Sequence, residues 1–289
     1  MSILRLLRIK HTVKNVFVLL PLIFNGSLLD MEALPAALWG FAAFCFLSPA
    51  VYIINDIRDA ERDREHPVKR ARPIASGAVS ARAAAFLAGA LIAASAAAQV
   101  LAGSVGFQAW LWLGLYLLIN IAYSFGLKNI PIADVAILAS GFLLRLLYGS
   151  AVTGIALSGW LCLTVTAFSF YLGLGKRRGE LISVPDGSSR EVLRRYTAGF
   201  LQQNMMMCMA LAVVFYSLWS TDASTAERLG NHMVWTVPLV LIICLRYNFV
   251  SETGGDGDPL ETMWNDKPLL CLVILFALIT TGLIYGGNL

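Results

Sequence analysis

Charged side chains are scarce in this chain of 289 residues. Asp, Glu, Lys and Arg together make up 14% of it, hydrophobic residues make up 58%, and the mean hydropathy is +0.70. A soluble globular domain typically has about 25% charged residues. The composition therefore argues against a soluble protein and indicates a chain that crosses a membrane several times.

Metal-ligand and disulfide patterns are also missing. The three histidines, His11, His66 and His232, show no metal-ligand spacing, and the five cysteines are scattered through apolar segments without a close pair. Zinc or iron chemistry is not expected, and the cysteines are predicted to be small buried hydrophobic residues. Without an internal repeat or a long linker, residues 1–289 are predicted to form one domain.

The long apolar runs lack the alternation of polar and apolar residues that marks the strands of a membrane barrel. Helices are the other structure that can span a bilayer, and each span needs about 20 apolar residues. The sequence therefore predicts an all-α polytopic membrane protein, a bundle of about nine transmembrane helices. The predicted spans are residues 15–29, 34–54, 82–102, 107–122, 132–152, 158–175, 200–219, 234–250 and 269–286.

The first predicted span has some features of a signal peptide, since it is short and follows an N-terminal segment rich in basic residues. No small-residue cleavage site follows Phe24, so we expect this segment to be retained.

The basic residues are distributed asymmetrically over the predicted loops. All but two of the 22 Lys and Arg residues fall on the side of the N-terminus, and the exceptions are Arg228 and Arg145, which lies within a span. The positive-inside rule then places the N-terminus and these loops in the cytoplasm.

An acidic pattern, N-D-x-x-D-x-x-x-D, follows the second predicted span and comprises Asn55, Asp56, Asp59 and Asp63. Steps of three and four place the three aspartates on one face of a helix. Their mutual repulsion would be relieved by a divalent cation, and carboxylate and amide oxygens suit Mg²⁺. We predict that these four residues bind Mg²⁺ and that the three aspartates are catalytic.

A basic run, Lys69, Arg70 and Arg72, comes next. Acids that hold a metal and bases that hold an anion together can bind a metal diphosphate, and Pro67, Pro73 and Gly77 would let this run fold back. The alternative is a solvated loop whose acids pair with neighbouring arginines, namely Arg58, Arg62 and Arg64.

Further basic and polar residues stand at the edges of spans or inside them. A charge within an apolar helix is costly, so Arg145 is expected to face a polar cavity and bind a phosphate or pair with Asp134. Asp134 itself opens the fifth predicted span, where it is expected to cap the helix; the alternative is a further polar ligand. The other predicted substrate ligands are Lys14, Tyr123, Lys128, Lys176 and Arg177, each of which could instead serve topology or anchoring.

The acidic pattern in a chain of about nine helices resembles the UbiA superfamily of intramembrane prenyltransferases. The continuation D-R-E-H-P-x-K-R-x-R-P-I-A resembles, more narrowly, the decaprenyl-phosphate phosphoribosyltransferase branch, as do V-K-N at 13–15, S-G-F-L-L-R at 140–145, G-K-R-R-G-E-L at 175–181 and R-Y at 246–247. The resemblance extends from about residue 8 to about residue 270.

The resemblance implies a UbiA-like bundle with a polar cavity open to the cytoplasm, in a bacterial-type inner membrane. It implies Mg²⁺-dependent transfer of 5-phosphoribose from phosphoribosyl diphosphate to a polyprenyl phosphate, for synthesis of cell-envelope precursors. No nucleic acid partner is expected, and the sequence does not fix an oligomeric state.

One departure from the superfamily bears on the substrate. Other members have a second acidic motif, D-x-x-x-D, after the sixth span, whereas this chain has Lys176, Arg177, Arg178 and Glu180 there and its next acid is Asp186. Bases in this position favour direct binding of an anion. Two alternatives stay open: transfer of an isoprenoid from its diphosphate to an aromatic or other acceptor, and a lipid-phosphate transporter or binder without catalysis.

Overall fold

The computed structural model describes residues 2–103, 106–183, 191–253 and 259–286, and within these ranges the regular structure is helical, without a β-strand. The α-helices are α1 Ser2–Leu7, α2 Leu20–Phe24, α3 Ala33–Glu65, α4 Ala81–Leu101, α5 Phe107–Ser124, α6 Ala133–Thr153, α7 Gly159–Ser183, α8 Ala198–Thr221, α9 Ala223–Leu229, α10 Val237–Thr253, α11 Pro259–Asn265 and α12 Lys267–Gly286. Short 3₁₀ helices cover Ile9–Val18, Lys69–Ala71, Leu127–Asn129, Glu191–Arg195 and Met233–Thr236.

Among the described residues, seven helices are long and apolar enough to cross a membrane: Ala33–Glu65, Ala81–Leu101, Phe107–Ser124, Ala133–Thr153, Ala198–Thr221, Met233–Glu252 and Lys267–Gly286. The protein is therefore an integral membrane protein, as predicted. The sixth predicted span forms α7, which has the length but a more polar composition. Nine spans is thus an approximate count.

The first predicted span, 15–29, is not one continuous helix. The chain forms the 3₁₀ helix Ile9–Val18 and then the five-residue helix α2. Pro21 lies in the first turn of α2, where its missing N–H costs nothing. A continuous helix would place the proline ring against the carbonyl of Phe17, and the break avoids that clash.

The chain forms two compact units. The first comprises Met1–Leu22, Leu28–Ile130 and Leu144–Ile155, and the second comprises Ile23–Ser27, Pro131–Leu143 and Ala156–Leu289. The first half of α6 thus belongs to the second unit, and its second half belongs to the first.

Three aromatic rings pack together within the mainly aliphatic core of the first unit. The Phe44 ring meets the rings of Tyr116 and Tyr148 edge to face, at centroid distances of 4.9 and 5.0 Å. The backbone of the 3₁₀ helix that ends at Val18 packs directly against the backbone of α6 at Gly149. The approach is so close that a Cβ on Gly149 would lie 2.0 Å from the Val18 carbonyl oxygen. Glycine is required for this approach.

The core of the second unit gathers aromatic and aliphatic side chains. Tyr171 on α7 contacts Tyr247 on α10 with a centroid distance of 5.5 Å, and Leu201 and Met205 on α8 are buried in the same cluster. The five cysteines are free; Cys208 and Cys244 are buried, Cys45 and Cys162 are half-buried, and Cys271 is exposed. The prediction that all five are buried is therefore wrong for Cys271.

The longest helix, α3, positions the acidic pattern. Its 33 residues correspond to about 50 Å, whereas the hydrocarbon core of a bilayer is about 30 Å thick. Because the apolar part of α3 precedes Asn55, the excess length carries the charged end of the helix past the apolar layer.

Candidate active site

The three aspartates, Asp56, Asp59 and Asp63, lie on one face of α3, as their spacing predicts, and this side of the helix is called the acidic face. Asp56 and Asp63 are almost completely buried, at 3% and 4% exposed, and Asp59 keeps 21% of its side chain exposed. Carboxylates buried to this extent need compensating charge. Each of the three contacts a cationic side chain in the first unit.

The basic run after α3 folds back onto this face. Arg72 contacts two of the aspartates through one atom: its Nη1 lies 3.1 Å from Asp56 Oδ1 and 2.6 Å from Asp63 Oδ2. The turn is fixed at its start, where His66 Nδ1 accepts hydrogen bonds from the backbone N–H groups of Val68 and Lys69 at 3.2 and 3.3 Å.

His66 accepts these bonds in its neutral form. Burial lowers the pKa of His66 below its usual value, and the positive charge of Lys69 adds to this effect, although the Asp63 carboxylate opposes it. The imidazole is therefore uncharged at neutral pH, and the start of the basic run stays in place.

Arg8, near the N-terminus, is a second partner of the acidic face. Its Nη2 lies 2.6 Å from Asp56 Oδ1 and 2.8 Å from Asp56 Oδ2. The guanidinium also stands over the ring of Tyr52, one turn earlier on α3, at 5.1 Å from the centroid. Cation–π contact of this kind holds a guanidinium in place.

Lys128 completes the set from the 3₁₀ helix Leu127–Asn129. Its Nζ donates to Asp59 Oδ1 and, at 3.3 Å, to Asn55 Oδ1. Two cationic groups thus each contact a pair of predicted metal ligands: Arg72 touches Asp56 and Asp63, and Lys128 touches Asn55 and Asp59.

The alternative of a solvated loop with local pairing does not describe this geometry. Arg58 lies over the ring of Phe125 at 5.0 Å, and Arg64 Nε donates to the Ala75 carbonyl at 3.3 Å. In the described residues, the acidic face forms ion pairs instead with Arg8, Arg72 and Lys128.

The side-chain oxygens of Asn55, Asp56, Asp59 and Asp63 are chemically suited to bind a divalent cation. In the described part of the chain, no three His, Cys, Asp or Glu residues already converge as a preformed metal site. Nevertheless, the single Arg72 Nη1 touches oxygens of both Asp56 and Asp63, so one cation can contact both carboxylates. Oxygen donors of this kind are those that Mg²⁺ prefers.

Arg145 lies in a separate polar network within the first unit. It is 4% exposed; its Nε donates to Asn15 Oδ1 at 2.9 Å, and its Nη2 donates to Ser48 Oγ at 3.0 Å and to Tyr116 OH at 2.9 Å. The guanidinium also stands 5.2 Å from the Phe44 ring centroid. These contacts join the 3₁₀ helix Ile9–Val18 to α3, α5 and α6.

Arg177 is the centre of a buried network in the second unit. Its Nε lies 2.5 Å from Asp134 Oδ2, and its Nη1 lies 2.7 Å from Glu180 Oε2. Arg177 and Asp134 are both completely buried. Asp134 thus pairs with Arg177, and the predictions that it pairs with Arg145 or serves only as a helix cap are both wrong.

Tyr196 supports this pair. Its hydroxyl donates to Asp134 Oδ1 at 2.7 Å and accepts the backbone N–H of Ile132 at 2.6 Å. Burial and the bond to Asp134 raise the pKa of Tyr196 to about 12, so the hydroxyl stays protonated. Ile132 has a positive φ of 70°, which is rare for a β-branched residue, and the hydrogen bond that its N–H donates to Tyr196 holds it there.

The remaining predicted substrate ligands are more accessible than Arg145 and Arg177. Arg70 is exposed, and Lys14, Lys69, Tyr123 and Lys176 are half-buried; each of these four takes part in interactions with its surroundings. Asp186 lies outside the described residues.

Sequence reasoning missed Arg8, Asn15 and Tyr196 as site or network residues. Arg8 and Asp56 are 48 residues apart, and Tyr196 and Asp134 are 62 residues apart. No helical spacing connects such pairs. The one available signal was the motif V-K-N, in which Asn15 follows Lys14.

Comparisons with known proteins agree with this fold. The UbiA prenyltransferase family model matches residues 19–251. A UbiA homologue from Archaeoglobus fulgidus, solved bound to GPP and Mg²⁺, superimposes with a TM-score of 0.71 over 100% of this chain and 99% of that chain. Its sequence identity of 21% limits that likeness to the fold.

Closer relatives are found among curated sequences. A decaprenyl-phosphate phosphoribosyltransferase of Corynebacterium glutamicum is 34% identical over 98% of this chain and 87% of the relative. A protein of the same name in Mycolicibacterium smegmatis is 32% identical over 94% of this chain and 89% of the relative. From the family match over most of the sequence and these nearly full-length relatives, we conclude that the chain belongs to the UbiA prenyltransferase family.

Proposed function

We propose that the protein transfers 5-phosphoribose from phosphoribosyl diphosphate to a polyprenyl phosphate of the decaprenyl type and releases diphosphate. The observation that carries this proposal is the acidic face of α3 in contact with Arg8, Arg72 and Lys128. Such a combination suits a polyanion that binds with a metal. The nearly full-length similarity to named decaprenyl-phosphate phosphoribosyltransferases supports the choice of substrates.

The reaction is a substitution at C1 of the ribose. A phosphate oxygen of the lipid forms the new bond to C1, and the bond from C1 to the diphosphate oxygen breaks with its electron pair on the leaving group. The attacking phosphate is ionised at neutral pH, so the protein need not supply a nucleophile or a general base. Catalysis then rests on positioning and electrostatic stabilisation.

Asp56, Asp59 and Asp63, with Asn55, would hold Mg²⁺. When bound, Mg²⁺ would neutralise negative charge on the leaving diphosphate. Arg72, on the folded-back run, is placed to exchange its carboxylate partners for phosphate oxygens, and Lys128 is placed to do the same beside Asp59. Lys69 and the exposed Arg70 extend this basic surface and are proposed ligands for the remaining phosphate.

The contacts of the other predicted ligands separate two kinds of role. Arg177 is buried against Asp134 and Glu180, so we assign it to holding α7 and α6 in place, and we assign phosphate contact to its half-buried neighbour Lys176. Arg145 likewise holds the helix that bears the acidic face, through Ser48. Lys14 and Tyr123 stay proposed substrate contacts.

The loops that carry the acidic face are proposed to lie in the cytoplasm, with the protein in a bacterial-type inner membrane. The supporting observation is the bias of basic residues toward one set of loops. The cytoplasm is also where a water-soluble sugar diphosphate would be available to the site.

The test is transfer of radioactive phosphoribosyl diphosphate to polyprenyl phosphate by the purified, folded protein. We expect labelled lipid to form with Mg²⁺ and to disappear with a chelator, and Asp59→Ala to abolish transfer while the protein still folds. Absence of transfer with several lipid lengths would contradict the proposal. Retention of activity by Asp59→Ala would contradict the assignment of the site.

Prenyl transfer is the second candidate, because the matching family is one of prenyltransferases. The segment 176–178, Lys-Arg-Arg, argues against it, since bases replace the acids expected for a second metal on a prenyl diphosphate. Supplying both donors to the same preparation separates the candidates. Consumption of prenyl diphosphate with an aromatic acceptor, and none of phosphoribosyl diphosphate, would favour the second.

A further inference from the structure

Arg8 connects two short helices and directs its side chain onto the acidic face. α1 ends at Leu7 and the next helix begins at Ile9, and between them Arg8 has φ 49° and ψ 50°. This left-handed conformation is uncommon for an L residue. With it, Nη2 lies 2.6 and 2.8 Å from the two carboxylate oxygens of Asp56.

The N-terminal segment is anchored beside Asp56. Leu6 is 1% exposed and shares a buried cluster with Ile53 and Ala60, which lie on α3 on either side of Asp56 along the chain. The guanidinium carbon of Arg8 also lies over the Tyr52 ring, 5.1 Å from its centroid. The backbone conformation, the buried anchor and the aromatic contact therefore hold Arg8 beside Asp56, within reach of that carboxylate.

The contacting charges of the acidic face balance. Three carboxylates meet three cationic side chains, and these are Asp56, Asp59, Asp63, Arg8, Arg72 and Lys128. A divalent cation that joined this set alone would add two positive charges beside cations that already contact its ligands. At such distances like charges repel strongly. A diphosphate that arrives with the cation supplies the negative charge that removes this excess.

Arg8 contacts a buried carboxylate and is also open to solvent, a combination that it shares with Arg72. Arg8 contacts both oxygens of Asp56, which is 3% exposed, while 24% of its own side chain is open to solvent. An arriving anion can therefore meet the guanidinium at its open side. Once it does, Asp56 Oδ2 becomes available to a metal, while Oδ1 keeps its contact with Arg72 until that guanidinium also turns to the anion.

We propose that Arg8 is a specificity-determining residue that makes the site accept a divalent cation together with a diphosphate and reject the cation alone. Arg8 competes with the cation for Asp56 and is drawn away by diphosphate oxygens. This inference rests on the proposed function, in which the acidic face binds a metal diphosphate.

The experiment measures metal retention, without turnover. The full-length protein in detergent is dialysed to equilibrium against radioactive Mn²⁺, alone or with inorganic diphosphate, and bound metal is counted. For the unaltered protein we expect weak binding of Mn²⁺ alone and at least about tenfold tighter binding with diphosphate. For Arg8→Gln, we expect binding of Mn²⁺ alone to tighten about tenfold, from loss of one contacting positive charge, and the effect of diphosphate to shrink.

Two further variants make the result specific to Arg8. Arg58→Gln removes the same charge from the acidic stretch of α3, but Arg58 lies over Phe125, so binding of Mn²⁺ alone should change less than about twofold. Arg8→Lys keeps the charge and should keep Mn²⁺ binding weak. Thermal unfolding of each variant establishes that it is folded before binding is compared.

Different binding results would reject the role of Arg8 and the proposed metal site. If Asp63→Asn abolishes Mn²⁺ retention but Arg8→Gln binds like the unaltered protein, the metal site stands and the role of Arg8 is rejected. Equal tightening in Arg8→Gln and Arg58→Gln would also reject it, as a general effect of charge. If Asp63→Asn retains Mn²⁺ and diphosphate normally, the proposed metal site itself is wrong.

Discussion

The buried carboxylates of the acidic face are paired with individual cationic side chains. Asp63 contacts Arg72, and Asp56 contacts both Arg72 and Arg8. These buried carboxylates would be unstable without positive charge beside them. Under the proposed function, the same residues that stabilise the fold are the ones that would change partners when a metal diphosphate binds.

Replacing Asp63 by Asn tests one of these carboxylates. The substitution removes a charge from the predicted metal ligands, so we expect the Mg²⁺ concentration for half-maximal transfer to rise by about tenfold or more. The KM for polyprenyl phosphate should stay nearly constant. Both are obtained by titrating label transfer with Mg²⁺ and with lipid.

Glu61→Gln is the matched control for this prediction, because Glu61 is an exposed acid on the same part of α3. We expect its Mg²⁺ dependence to equal that of the unaltered protein. If Asp63→Asn behaves like Glu61→Gln, then Asp63 is not a metal ligand.

Arg145 illustrates a charge whose observed partners belong to the fold. Substitution by Leu would remove the donors to Asn15, Ser48 and Tyr116 and leave these buried groups to find other partners. We expect Arg145→Leu to lower the free energy of unfolding by about 3 kcal/mol, measured by thermal unfolding in detergent. The free energy of unfolding of Arg145→Lys should lie between those of Arg145→Leu and the unaltered protein, because lysine keeps the positive charge but lacks the planar guanidinium.

Arg58→Leu provides the comparison for this loss of stability. Arg58 has its guanidinium over Phe125 near the helix surface, and an exposed contact of this kind contributes about 1 kcal/mol or less. Equal loss of stability in the two leucine variants would contradict the assignment of Arg145 to the fold.

At the scale of helices, close backbone contact explains how the N-terminal segment is held. A Cβ added to Gly149 would lie 2.0 Å from the Val18 carbonyl oxygen and 2.9 Å from its carbonyl carbon. Because both are backbone atoms, the contact can be relieved only by separating the 3₁₀ helix Ile9–Val18 from α6. The same segment carries Asn15 to Arg145.

We therefore expect Gly149→Ala to destabilise the protein by about 1–3 kcal/mol. Gly114→Ala on α5 is the matched control, because a Cβ there meets nothing within 4 Å. That variant should be neutral or stabilised by up to about 1 kcal/mol through helix propensity. The measurement is thermal unfolding of both variants in the same detergent. Unchanged stability of Gly149→Ala would contradict the prediction and show that the two segments separate easily.

The helix content was largely predictable, whereas the continuity of individual spans was not. Long apolar runs correctly predicted α3, α4, α5, α6, α8, α10 and α12 because hydropathy is a property of local composition. The region 15–29 is also largely apolar but contains Pro21, and the geometry of the backbone there overrides hydropathy.

For the molecule as a whole, the distribution of basic residues gives the strongest constraint on orientation. It predicts that Arg62 and Glu227, which are both exposed, lie on opposite sides of the membrane. In a variant without the five native cysteines, Glu227→Cys should react with a membrane-impermeant maleimide in intact cells. Arg62→Cys should react only in inverted vesicles.

Reaction of both positions from the same side would contradict the predicted topology. Reaction of Arg62→Cys in intact cells would place the acidic face away from the cytoplasmic sugar donor, and the proposed function would then lose its substrate.

The sequence by itself determined that the protein lies in a membrane, that it is helical and that Asp56, Asp59 and Asp63 share one helix face. Each of these depends on neighbours within a few residues, through hydropathy or the helical repeat. Only the tertiary structure decided that Arg8, Arg72 and Lys128 meet these carboxylates and that Asp134 meets Arg177. Such pairs join separate segments, and side-chain contact across them is fixed by how the chain packs and turns, which local sequence patterns do not contain.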